Sequence, residues 1–137
     1  MNYTVIVPFY NEEKNISSFN NELINNLKKI NNGKRDLEII YVDDGSKDET
    51  FNELKKLNAN IFETLIIKHR TNFSQSAAIN SAISQSKYEN IVIMDGDLQN
   101  DPNDLAKMVS EFEKGTDMLI GWRKHRKDNF FFRKFPS

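Results

Sequence analysis

The apolar positions along the chain change period in a regular way. Residues 3–7 (Tyr-Thr-Val-Ile-Val) form a short apolar run stopped by Pro8, the pattern of a buried strand. After a loop, Ile16, Phe19, Leu23, Ile24, Leu27 and Ile30 recur at helical spacing, and Asn31-Asn32-Gly33 closes that stripe. Leu37 to Val42 reads as a second strand, ending in Asp43-Asp44-Gly45. Ser46 followed by Glu49 has the form of a capping box for a helix marked by Phe51, Leu54 and Leu57. A third strand covers Glu63 to Lys68, and Ser74–Ser86 reads as a small-residue helix with Ala77, Ala78, Ile79, Ala82 and Ile83. The fourth strand is Asn90–Met94. Asp101 then caps, and Pro102 starts, a helix with Leu105, Met108, Val109 and Phe112 inside. Asp117–Ile120 predicts a short fifth strand. This alternation is the mark of βαβ units, so the chain is expected to form one α/β domain on a mostly parallel sheet with helices on both faces.

In such sheets ligands sit beyond the carboxyl ends of the strands, where strand order reverses. Polar residues collect at those ends here: Pro8 to Glu13 after the first strand, Asp43 to Ser46 after the second, and Asp95-Gly96-Asp97 after the fourth. Residues two apart in an extended backbone point to the same side. Asp95, Asp97 and Gln99 can therefore offer three oxygen ligands to one place, and such hard ligands suit Mg²⁺ or Mn²⁺. The same stretch would also serve as a polar turn with a helix cap behind it. It is not an EF-hand, because the sixth position from Asp95 is Asn100 rather than Gly and the twelfth is Ala106 rather than Glu. Carboxylates at three strand ends repel one another unless a cation or hydrogen-bond donors lie among them. Neither G-x-G-x-x-G nor a P-loop occurs, which argues against a dinucleotide dehydrogenase or an ordinary ATPase and for a nucleotide diphosphate held by metal.

Composition narrows this further. With 137 residues, 38% hydrophobic and 28% charged, the chain has the size and balance of one soluble domain. It has no cysteine, which excludes disulfides, a thiolate nucleophile and a cysteine zinc site. His69 and His125 are too far apart in sequence to suggest a histidine metal cluster. Met1 to Tyr10 lacks the basic region and cleavage site of a signal peptide, and no apolar run is long enough to span a membrane, so a cytoplasmic location is expected. The net charge of −1 is unevenly spread, because residues 123–137 carry six Lys or Arg against Asp128 alone. That basic, phenylalanine-rich end reads either as a solvated face or as a contact for phosphate or an anionic surface.

Three ordered motifs now combine: Val7-Pro8-Phe9-Tyr10-Asn11-Glu12-Glu13, Val42-Asp43-Asp44-Gly45-Ser46-Lys47-Asp48-Glu49-Thr50, and Asp95-Gly96-Asp97-Leu98-Gln99-Asn100-Asp101-Pro102. Together they resemble glycosyltransferase family 2, and within it the polyprenyl-phosphate sugar transferases. Arg70 to Ala78 and Gly121 to Asp128 are similar to that subgroup as well. The resemblance implies a GT-A fold over residues 1–121 that binds a nucleotide sugar, a UDP-sugar ahead of GDP-mannose. It implies that Pro8, Tyr10, Asn11 and Glu12 line the base and ribose, and that Asp43, Asp44 or both hydrogen-bond the base. Asp95 and Asp97 would hold Mg²⁺ or Mn²⁺ and the ribose-diphosphate, with Gln99 as a further ligand. Arg123 and Arg126 would meet the diphosphate or the acceptor phosphate. The acceptor implied is a polyprenyl phosphate, with no nucleic-acid partner. Residues 122–137 would begin an acceptor and interfacial region on the anionic inner face of the cell membrane.

Two features depart from the family pattern. Ser74 and Ser81 stand where glycine is usual, and a positive φ at Ser74 would be strained. Family members also continue well past Ser137, so the chain is expected to be an incomplete catalytic unit (a fragment, a truncated reading frame or a catalytic half that awaits a partner), with a non-catalytic nucleotide-sugar-binding remnant or interaction module as the alternative. A phosphoacceptor receiver domain, also α/β and acidic, places its paired acids after the first strand and a lone Asp after the third. Here they follow the second and fourth.

Overall fold

A computed structural model describes residues 1–57, 61–96 and 104–119. The elements run β1 (Tyr3–Phe9), α1 (Ile16–Asn31), β2 (Leu37–Asp43), α2 (Thr50–Lys55), β3 (Glu63–Lys68), α3 (Gln75–Gln85), β4 (Asn90–Ile93) and α4 (Asp104–Phe112). The four strands form one sheet in the order β3-β2-β1-β4, and every neighbouring pair is parallel. Each connection therefore crosses over through a helix. The chain steps outward from β1 to β2 to β3 and then returns to the other side of β1. The order reverses between β1 and β4, the kind of position at which open α/β sheets take their ligands.

The alternation within β1 and β2 decides which helix covers which face. Tyr3, Val5, Val7 and Phe9 point with Leu37, Ile39 and Tyr41 into a core shared with Ile16, Phe19, Leu23 and Leu27 of α1, Leu54 of α2, and Leu105 and Val109 of α4. Burying one such large side chain is worth about 1.5–3 kcal/mol, so the α1 stripe is a main source of stability. Ile6, Ile40 and Val42 point the opposite way, onto Ala78 and Ala82 of α3. The two alanines let that helix lie close to the sheet. On the same face, buried Glu38 accepts from the Thr4 hydroxyl at 2.7 Å and from Lys87 N–H at 2.9 Å. This pins the turn between α3 and β4 under the sheet.

The helix ends follow the sequence in part. Asn32 takes the left-handed conformation (φ 44°) that stops α1, and Gly33 follows at φ 69°. The predicted capping box at Ser46 does not form. Gly45 (φ 72°) turns the chain so that Ser46 Oγ accepts from Asn11 N–H at 2.9 Å, and α2 begins only at Thr50. Asp48 does the capping instead, accepting from Thr50 N–H at 2.9 Å and from the Thr50 hydroxyl. Burial alone would raise the Asp48 pKa, but the Thr50 hydroxyl and N–H, with Glu13 N–H, hold it below the usual range.

Residues 117–119 are not a strand. Met118 is 74% exposed, and among the described residues no strand lies on the outer side of β4 to pair with them. The predicted cap at Asp101 and helix start at Pro102 lie outside the described residues, as does the region 122–137. Among the described residues no helix is long and apolar enough to cross a membrane.

Candidate functional site

The crevice is built from the loops that leave β1, β2, β3 and β4. Phe9, the last residue of β1, is buried with its ring 5.7 Å from both Phe19 and Tyr41. A side chain at Gly96 would overlap this ring, so the glycine lets the end of β4 pass directly over the end of β1. Tyr10 beyond it is 42% exposed at the rim, and Pro8 is half-buried.

The loop after β1 is tied to the loop after β2. Asn11 (φ 51°) receives Lys47 N–H on its Oδ1 at 2.9 Å, Glu12 N–H donates to Thr50 Oγ1 at 2.9 Å, and Glu49 N–H donates to Glu13 Oε2 at 3.0 Å. Glu12 Oε2 accepts from Asn15 Nδ2 at 2.7 Å. The side chains of Asn11 and Glu12 thus hold the loop itself.

Asp43 and Asp44 are both buried, but their surroundings differ. Asp43 Oδ1 accepts from Ser46 N–H at 3.0 Å, while its buried Oδ2 has no hydrogen-bond partner among the described residues. An unsatisfied buried carboxylate oxygen is costly. Asp44 is already engaged on both oxygens. Oδ1 meets His69 Nδ1 at 2.8 Å and Phe73 N–H at 3.0 Å, and Oδ2 accepts from Ser74 N–H at 3.1 Å. Asp44 therefore anchors the loop after β3. Gly45 makes room for that loop, because a Cβ there would overlap the backbone of Thr71 and Asn72.

The anchored loop leads into α3. Ser74 has φ 128°, the positive value the sequence flagged as strained, and its hydroxyl caps α3 by accepting from Ala77 N–H at 3.2 Å. Gln75 follows, and its amide donates to Asp95 Oδ1 at 2.8 Å. The β4 carboxylate is thereby joined to the loops after β2 and β3, and Gly96 to the end of β1. The segments that follow the four strands are thus in contact with one another.

Asp97 and Gln99, expected beside Asp95, lie outside the described residues, as do Arg123 and Arg126. Among the described residues no three His, Cys, Asp or Glu side chains group to hold a metal. Asp95, the one expected metal ligand within the described residues, is a carboxylate, the donor type that a hard cation takes, and it accepts from the Gln75 amide. His69 and Ser81 were not singled out as site residues from the sequence. No local sequence pattern marked His69: it is the strand register, with Lys68 paired to Asp43, that puts the next residue beside Asp44.

The sequence matches a family model described as Glycosyl transferase family 2 over residues 4–137. The chain is 39% identical over 136 residues to a dodecaprenyl-phosphate galacturonate synthase of Rhizobium johnstonii, covering 98% of this chain and 39% of that one. It is 31% identical over 136 residues to an undecaprenyl-phosphate 4-deoxy-4-formamido-L-arabinose transferase of Proteus mirabilis, covering 98% and 40%. The chain thus spans about two-fifths of the length of these curated relatives. Among solved structures, a mannosyltransferase of Pyrobaculum calidifontis in complex with GDP-Man and Mn²⁺ aligns with a TM-score of 0.66 at 26% identity, over 78% of this chain and 31% of that one. TarS of S. aureus in complex with UDP-GlcNAc aligns with a TM-score of 0.63 at 27% identity, over 83% and 31%. These neighbours share the GT-A architecture expected from the motifs.

Proposed function

The chain belongs to glycosyl transferase family 2, and on that footing we propose that it binds a nucleotide diphosphate sugar in the crevice between β1 and β4 for transfer to a polyprenyl phosphate. The observation that supports this reading is that the polar ends of β1, β2 and β4, with Tyr10, Asp43 and Asp95, lie along one carboxyl edge of a parallel sheet whose strand order reverses at β1. The names of the relatives supply the acceptor class, and the nucleotide sugars of the solved neighbours supply the donor class.

Pro8, Tyr10, Asn11 and Glu12 form the wall for base and ribose. Asp43 Oδ2 takes a base N–H, for which a uridine donor comes ahead of a guanosine donor, and Asp44 keeps the loop in place. Asp95, with Asp97 and Gln99, holds Mg²⁺ or Mn²⁺, which when bound neutralises charge building on the departing diphosphate. Arg123 and Arg126 meet the diphosphate or the acceptor phosphate. Transfer proceeds with inversion: an acceptor phosphate oxygen bonds to the anomeric carbon as the bond to the nucleoside diphosphate breaks, and the electron pair leaves with the diphosphate. A phosphate monoester has a second pKa of about 6, so the acceptor is already largely dianionic and needs no general base. His69 fits this picture, since both its ring nitrogens are engaged away from such a role. The basic end, residues 122–137, starts the acceptor region and rests on the anionic inner face of the membrane.

The test is a melting assay of the chain with UDP or GDP and Mn²⁺, followed by release of nucleoside diphosphate from the sugar nucleotide in the presence of polyprenyl phosphate. A ligand at about 100 times its Kd raises stability by about 2.7 kcal/mol, which a melting curve resolves. Indifference to both nucleotides with Mn²⁺ would defeat the donor-site reading. Binding without release would favour a donor-binding module over a complete transferase.

A further inference from the structure

We propose that His69 is a positioning residue for the nucleotide site, acting through Asp44 and oriented by Ser81; this rests on the donor-binding reading above. Asp44 as a carboxylate can only accept, so the hydrogen of the pair lies on His69 Nδ1, 2.8 Å from Asp44 Oδ1. In the neutral ring Nε2 is then an acceptor, and Ser81 Oγ stands 2.8 Å from it with a hydroxyl to donate. The two contacts fix both tautomer and ring orientation. The backbone is held too, because His69 N–H donates to Asp43 C=O at 2.9 Å. The side chains of His69 and Asp44 are 12% and 5% exposed, so water competes little for these bonds.

The pair matters for what Asp44 holds. Its carboxylate receives three donors, from His69, Phe73 and Ser74, and this fork keeps it in one plane. Ser74 sits at φ 128°, a conformation that persists only if its surroundings impose it. Asp44 Oδ2 on Ser74 N–H is one such restraint. The next residue, Gln75, reaches Asp95. Contacts thus run from Ser81 through His69, Asp44, Ser74 and Gln75 to the carboxylate at the β4 tip, and His69 sets where the loop after β3 meets the crevice.

The experiment measures amide hydrogen exchange at Phe73 and Ser74 in the ligand-free chain, and Kd for UDP and for GDP with Mn²⁺. In His69→Ala, exchange at both amides rises about tenfold or more while β1 and β2 amides stay protected, and the Kd of the nucleotide that binds rises about tenfold. His69→Asn, whose amide N–H takes the Nδ1 position, restores most of both. Ser81→Ala falls between, and these two variants carry the comparison if His69→Ala does not fold. Unchanged exchange overturns the proposal. So does raised exchange that Asn fails to rescue, since the ring's bulk rather than its N–H would then be responsible. Raised exchange with unchanged affinity breaks the link to the nucleotide. Failure of the wild-type chain to bind either nucleotide removes the donor-site reading, while the exchange data still decide whether His69 holds the loop.

Discussion

Gly45 and Gly33 offer a matched pair for separating backbone strain from crowding. Their φ angles are 72° and 69°, so alanine meets nearly the same conformational penalty at either site. That penalty is about 1–2 kcal/mol, partly offset by about 0.4–1 kcal/mol from a stiffer unfolded chain. At Gly33 nothing lies within 4 Å of an added Cβ. At Gly45 the Cβ would stand 2.5 Å from the Thr71 carbonyl oxygen and closer still to Thr71 C and Asn72 N, all of them backbone. Overpacking of this kind adds about 1–3 kcal/mol because a loop rather than a side chain must move. Gly33→Ala should therefore cost about 0–1.6 kcal/mol, and Gly45→Ala about 1–3 kcal/mol more than that. With roughly 4 °C of Tm per kcal/mol for a domain of this size, the two variants should melt well apart. Urea unfolding followed by circular dichroism measures both. Equal losses would refute the close packing of the loop after β2 on the loop after β3, and with it the assembly of the crevice.

Two further outcomes follow from named contacts. Ser74→Gly should stabilise the chain by about 1 kcal/mol, because relief of the positive φ exceeds the few tenths lost when Gly replaces Ser at a cap; a lowered urea midpoint would contradict this. Acid should weaken the docking of α4: the Arg35 guanidinium, with the Tyr3 hydroxyl, holds the Glu113 carboxyl below its usual range, at 2.8 Å from Arg35 Nη2. A depressed carboxyl contributes its stability above the unfolded pKa of about 4.3 and loses it as pH falls through the folded value. Urea midpoints measured between about pH 5 and pH 3 should fall less steeply in Glu113→Gln than in wild type, and identical slopes would rule the contact out as a source of acid sensitivity.

Much of the fold was legible because secondary structure depends on short-range chain geometry. The stripe Ile16, Phe19, Leu23, Ile24, Leu27 and Ile30 is buried in full, and Asn32 with Gly33 ends that helix. The residues at the ends of β1, β2 and β4 could be assigned to one edge because a parallel sheet brings all its carboxyl ends together. The strain at Ser74 was visible as a serine standing where the family pattern has glycine.

What local pattern could not decide was partnership across crossovers. Ser46 and Glu49 carry the letters of a capping box, yet Gly45 turns them toward Asn11 and Glu13, and Asp48 takes over the cap. Asp43 and Asp44 are adjacent and chemically identical in sequence. Only the register of β3 beside β2, which brings His69 alongside, engages both oxygens of Asp44 while, among the described residues, one oxygen of Asp43 finds no partner. The predicted fifth strand is not seen over residues 117–119 for a related reason: among the described residues they have no neighbouring strand to pair with. Periodicity, which belongs to a few successive residues, was set by the sequence alone. Hydrogen-bond partners 25 or more residues apart exist only once the sheet has put their strands side by side.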